Sequence, residues 1–162
     1  IYMPANGIVQ GMRPILGYNY GAGETRRVRS TIRYSLVCAA AIMLLGTVLS
    51  LLIPEQIFAL FDADEELMSA GVSALRIISA GFLISSIGVI YSGTFEALGD
   101  GRRSLVISLL RQFVITIPVS FILSRFMGPA GIWIAFPAGE ICAAVVAFFL
   151  LRFYQKGAFS PL

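Results

Sequence analysis

The sequence predicts an all-α integral membrane protein with about five transmembrane helices, the first of them partial. Three observations predict it. Of 162 residues, 57% are hydrophobic and only 13% charged, and mean hydropathy is +0.85. Soluble domains carry about 25% charged residues, so a fold this apolar lacks the polar surface to cover itself in water. Apolar residues also run continuously over stretches of about 20, the length that crosses a bilayer. They do not alternate with polar ones as barrel strands do. Finally, the charges fall between these runs, basic and acidic in turn.

Helices are expected at residues 1–20, 31–53, 69–98, 103–124 and 131–154. Ile1 to Met12 reads as the tail of a span whose start lies upstream. The absence of an initiator methionine and of a basic leader predicts a piece of a longer chain without a signal peptide. Tyr34 to Ile53 is uncharged and closed by Pro54. Ile77 to Phe95 lies between Arg76 and Glu96. Ser104 to Ser124 is interrupted by Arg111 and loosened at Pro118. Gly131 to Leu151 carries Pro137 and Glu140.

The linkers set an orientation. Arg26, Arg27, Arg29 and Arg33 follow the first span, Arg102 and Arg103 follow the third, and Arg152 and Lys156 close the chain. Residues 54–68 instead hold five acids and no base. The positive-inside rule places the basic linkers and the C-terminus in the cytoplasm of a plasma (inner) membrane protein, and the acidic linker outside. Trp133, Phe58 and Phe61 then fall at the outer interface, and Tyr18, Tyr20, Tyr34 and Tyr154 at the inner one. The net charge of +3 is accounted for by these clusters rather than by nucleic acid.

Residues 11–30, GMRPILGYNYGAGETRRVRS, look at first like a phosphate loop. A Walker loop needs Lys and Ser/Thr after its last glycine, but Gly23 is followed by Glu24 and Thr25. A dinucleotide fold needs a strand before the glycines and a βαβ unit after them. A helix terminus remains: Gly17, Gly21 and Gly23 supply positive φ for the exit turn, and Asn19 tolerates it. Gly7-x-x-x-Gly11 permits a close helix contact.

Charge inside a membrane is costly and is usually paired or functional. Arg13 and Arg76 lie near span ends, where snorkelling and function both fit. Arg111 and Glu140 lie deeper, roughly 12 Å and roughly 18 Å from the cytoplasmic ends of consecutive antiparallel helices. They either pair to fix helix register or face one polar cavity. Gln112 beside Arg111, Pro14 beside Arg13, and the mid-span Pro118 and Pro137 complete the set of cavity candidates; for the two mid-span prolines a packing kink and a moving hinge fit equally. Cys38 and Cys142 lack metal-ligand spacing, the chain has no histidine, and both read as small hydrophobes packed in helices. No nucleophile–base or metal constellation stands out, so no enzyme and no cofactor are expected.

Together these residues resemble the multidrug and toxic compound extrusion (MATE) family. The stretch GMRPILGYNYGAGETRRVRS is similar to the close of that family's eighth helix. IFALFDADEELMSAGVSALRI resembles the outer loop and start of the tenth, FEALGDGRRSLVISLLRQ the connection to the eleventh, and GPAGIWIAFPAGE the start of the twelfth. The resemblance implies helices 8–12 of a twelve-helix, two-lobe antiporter, with residues 1–162 as a partial C-terminal lobe. It implies export of amphiphilic or cationic compounds in exchange for Na⁺ or H⁺. The partners implied are the seventh helix and N-terminal lobe of the same transporter, and the bilayer. In some members an acid on the tenth helix helps bind the cation, but Arg76 to Phe95 contains no Asp or Glu. In other members the coupling acid is on the first helix, outside this chain; within this chain Glu140, with Arg111 beside it, is the candidate. Two alternatives stay open: a relative that flips lipid-linked saccharides, which Arg13 and Arg111 would suit, and a non-transporting membrane scaffold.

Overall fold

The structure, a computed structural model, describes residues 2–61 and 64–158, apart from the side chains at 66 and 155–158. Asp62 of the acidic linker and the side chains of Glu66 and Lys156 thus lie outside the described residues. Every regular element among the described residues is helical: α1 (Tyr2–Gly21), α2 (Thr25–Leu52), α3 (Pro54–Ala59), α4 (Glu65–Ser79), α5 (Phe82–Ala97), α6 (Gly101–Leu109), α7 (Thr116–Met127) and α8 (Pro129–Ala158). A π-helical turn, Leu110–Ile115, joins α6 to α7.

Thr25–Leu52, Gly101–Met127 and Pro129–Tyr154 are long and apolar enough to cross a membrane, and the bent pair α4–α5 makes a fourth span if counted as one. The expected first span, α1, is not among them; Asn6, Gln10, Arg13 and Asn19 dilute its apolar character.

Two connections use the same device. Gly23 at φ +73° follows α1, with its amide bonded to the Tyr20 carbonyl (3.0 Å) and that of Glu24 to Asn19 (2.9 Å). Gly99 at φ +79° follows α5, with the Gly99 amide bonded to Glu96 (3.1 Å) and that of Asp100 to Phe95 (2.8 Å). These paired bonds are Schellman caps, and only glycine takes their left-handed position without penalty. The expectation for the first turn is therefore corrected in part. Gly23 alone of its four residues has positive φ; Gly17 and Asn19 are helical and Gly21 is the last residue of α1. Asn19 is buried, and its amide donates to the Ile15 carbonyl at 2.7 Å.

Other boundaries differ for local reasons. The arginine cluster is not a linker but the first turns of α2, since nothing in TRRVRS breaks a helix. Pro54 starts the short α3, and Asp64 caps α4 by accepting from the Leu67 amide at 2.8 Å. The expected helix 69–98 is broken, with α4 and α5 meeting at a 57° bend. At that bend Gly81 lies against α8, where a Cβ would stand 3.0 Å from the Pro137 Cα. The expected irregularity near Pro118 takes the form of the π turn that precedes it. Proline has no N–H to return to the preceding turn, so the widened turn accommodates it.

α5 is the central element and packs against α1, α2, α6 and α8. The core joins Val9, Met12 and Leu16 of α1 to Val28 and Ile32 of α2, Ile90 and Phe95 of α5, and Ala143, Ala147 and Leu151 of α8. Small residues bring these helices close: a Cβ on Gly93 would strike the Val9 side chain. Gly7 and Gly11, by contrast, have no neighbour among the described residues within 4 Å where a Cβ would stand, so their spacing joins no described helices. Large apolar side chains cover the outside, among them Leu52, Phe121 and Phe153. Cys38 and Cys142 lie in helices, as expected, with free thiols on this exposed surface.

Gly131 closes the α7–α8 hairpin, because a Cβ there would overlap the Leu123 carbonyl group and the Ser124 amide. Backbone atoms cannot swing away as a side-chain tip can. Gly131→Ala is expected to cost about 1–3 kcal/mol by overpacking. It should visibly lower the midpoint of a fluorescence-detected size-exclusion melt. Gly101→Ala, at a position with open space around it, should not.

Candidate functional site

The two deepest charges expected from the sequence come together. Glu140 projects from α8 and Arg111 from the π turn, with Nη1 3.7 Å from Oε2. This is an ion pair at longer than hydrogen-bond distance. The other carboxylate oxygen, Oε1, accepts from the Tyr2 hydroxyl at 2.9 Å. Oε2 is buried and finds no hydrogen-bond partner among the described residues. The Glu140 side chain is 12% exposed and that of Arg111 27%.

These groups line a cavity of about 320 Å³ with Gln112, Ile78 and Phe136. Its walls come from α1, α4, the π turn and α8, so distant parts of the sequence build it. Backbone irregularity lets α8 approach. A Cβ on Gly139 would overlap the Thr116 hydroxyl and stand 2.9 Å from the Arg111 carbonyl. The Thr116 hydroxyl donates to that same carbonyl. It thus satisfies an acceptor beside the widened turn.

A second polar group lies beyond Arg111. Arg13 of α1 pairs with Glu96 of α5. Ser104 donates to the other oxygen of Glu96 at 2.7 Å, and the Ser92 and Ser104 hydroxyls are 2.7 Å apart. Arg13, Glu96 and Arg111 line one cavity of about 150 Å³. Arg111 therefore stands in the wall of both cavities.

Arg13, Arg111, Gln112 and Glu140 thus all face cavities. Pro137 packs against Gly81 and is not among the described lining of either cavity. Pro14 and Pro118 are exposed and line neither cavity. Gly17, Asn19, Gly21 and Gly23 belong to the end of α1 and its turn. Arg76 is exposed on the last turn of α4. Sequence reasoning misses Tyr2 and the Glu96–Ser104–Ser92 group. Glu96 reads there only as a span boundary, although an arginine at the depth of Arg13 calls for an acid. Nothing local marks Tyr2, whose contact spans 138 positions.

Apolar span-length helices around a partly buried Arg111–Glu140 pair define a multi-pass helical membrane protein. The chain belongs to the MatE family, whose model matches residues 1–122. The multidrug export protein MepA of Staphylococcus haemolyticus is 29% identical over 143 residues, which are 88% of this chain and 31% of MepA. The MATE multidrug transporter DinF-BH, solved in complex with a ligand, is 33% identical with a TM-score of 0.86, over 98% of this chain and 36% of that one. An inward-facing multidrug resistance MATE family transporter shares the fold at TM-score 0.90 and 23% identity, over 97% of this chain and 37% of that one. The chain spans about a third of the length of the relatives it matches.

If Tyr2 and Glu140 act as a pair, their mutational effects are not additive. Tyr2→Phe leaves Oε1 without its donor and is expected to cost about 1–3 kcal/mol. Once Glu140 is replaced by leucine, the same substitution should cost clearly less. A double-mutant cycle by SDS unfolding measures the difference, and strict additivity would separate the two residues.

Proposed function

We propose that the chain is part of a secondary active multidrug exporter, moving amphiphilic or cationic compounds in exchange for Na⁺ or H⁺. Its membership of the MatE family carries this reading. The likeness to a MATE multidrug transporter solved with a bound ligand supports it. On this reading residues 1–162 are helices 8–12 of the C-terminal lobe. The remaining helix and the N-terminal lobe complete the transport cavity, and the arginine-rich end and C-terminus face the cytoplasm.

Within this lobe Glu140 is the proposed ion-responsive group. Tyr2 holds one oxygen, while the other is buried and faces a guanidinium too distant to hydrogen-bond it. A proton or Na⁺ arriving at Oε2 gains a ligand without breaking a hydrogen bond. It also competes with Arg111 for the carboxylate. An ion drives a conformational change only through different affinities for the two states. Release or retention of Arg111 supplies such a difference, because that residue lies on the π turn and borders both cavities. Coupling through an acid on the tenth helix is not proposed, since α4 beyond Arg76 and α5 up to Phe95 carry none.

The saccharide-flipping alternative would use arginines as anion sites. Here Arg13 and Arg111 are matched by Glu96 and Glu140, which favours the exporter. The test is ion-driven efflux of a fluorescent cation by the transporter containing this chain. Glu140→Gln keeps the hydrogen-bonding shape and removes the charge. It is expected to lower ion-coupled efflux at least tenfold with substrate binding retained. Unimpaired efflux would remove Glu140 from the mechanism, and absence of efflux in the unaltered transporter would favour the scaffold alternative.

A further inference from the structure

A third groove lies apart from the polar interior, between α2 and α8, with Tyr91 of α5 also lining it. Its volume is about 300 Å³. Arg29, Arg33 and Arg152 line it, and among the described residues its lining includes no carboxylate. Its remaining walls are apolar: Ile32 and Leu36 on one side, Phe148 and Leu151 on the other. The Arg152 guanidinium lies over the Phe148 ring, 5.4 Å from its centroid. Both helices are of spanning length, and the arginines stand near the N-terminus of α2 and in the last turns of α8. The groove therefore places guanidinium groups near the ends of two span-length helices, with apolar side chains beside them.

We propose that this groove binds the headgroup of an anionic phospholipid. Guanidinium groups form paired hydrogen bonds with phosphate oxygens, and basic pockets between membrane helices suit acidic headgroups. The apolar walls continue from the arginines toward the bilayer, so acyl chains enter where the headgroup ends. Charge complementarity selects an anion, and the apolar walls select one that carries a hydrocarbon tail. The arginines are spread over two helices, so one bound lipid bridges α2 to α8 across α5.

The experiment uses the transporter containing this chain, purified in neutral detergent and examined by native mass spectrometry. Dioleoyl phosphatidylglycerol should be retained, and dioleoyl phosphatidylcholine should not. R33Q/R152Q should weaken phosphatidylglycerol retention about tenfold. R26Q/R27Q removes the same charge from residues that line a different groove, beside α1, and should leave retention unchanged. Equal loss in both variants would show diffuse attraction rather than a site and overturn the proposal. So would unchanged binding in R33Q/R152Q, equal retention of phosphatidylcholine, or displacement by equimolar glycerol 3-phosphate, which would indicate a soluble-anion site. In the unaltered protein, a phosphatidylglycerol with a photoreactive acyl chain should label the peptide containing Leu36 or Phe148. Labelling confined to other helices would overturn the proposal whatever the variants do. None of these measurements reads transport, so their failure leaves the export reading standing.

Discussion

In hydrocarbon there is no water to satisfy a broken backbone, so each departure from a regular helix has to be repaired by the protein itself. The chain departs three times near one place: at the α4–α5 bend, at the π turn, and at Pro137. Side-chain hydroxyls make local repairs. The Ser79 hydroxyl bonds to the Arg76 carbonyl at 2.9 Å, and Thr47 of α2 donates to the Ser79 carbonyl at 3.2 Å. Thr116 does the same for the Arg111 carbonyl. Glycines then let the irregular segments touch, Gly81 against Pro137 and Gly139 against Thr116. The cavity around Glu140 is the space these contacts enclose.

The same scarcity of water governs the charges. An unpaired ion inside a membrane protein is expensive, while a matched pair recovers part of the cost. Glu140 and Glu96 each meet an arginine from a different element. The two sites are not equivalent. Glu96 takes Arg13 and Ser104 on its two oxygens, whereas Glu140 keeps one buried oxygen without a hydrogen bond among the described residues. The role proposed for Glu140 rests on that asymmetry more than on depth in the membrane. A fully satisfied carboxylate offers an arriving ion little, because each new contact replaces an old one.

Much of this was legible in the sequence. Continuous apolar runs revealed helices, and the rarity of charge within them singled out Arg111 and Glu140. Helix ends were less legible because they depend on backbone geometry. GYNYGAG offers three glycines and an asparagine for one turn, and only Gly23 takes the left-handed position. The break between α4 and α5 falls in an apolar run with no proline, so composition does not show it. Tyr2 and Glu96 were missed for a different reason: their partners lie 138 and 83 positions away. Periodicity reports which face of a helix is buried, and it does not report what that face meets.

The irregular turn also explains why Arg111, rather than a residue on a straight helix, borders both cavities. On a regular helix, residues three and four apart share a face, and neighbours point elsewhere. A π turn inserts an extra residue and rotates the downstream helix relative to the upstream one. The apolar face of α6, which buries Ile107, is thereby uncoupled from the lipid-exposed face of α7, which presents Ile117 and Phe121. Arg111 sits at that change of phase and is freed from either face. Its carbonyl is held by Thr116 while its guanidinium remains 27% exposed between Glu140 and the Arg13–Glu96 pair. A fixed backbone carrying a long, partly exposed side chain is the arrangement in which a guanidinium can change partners without the helix unwinding.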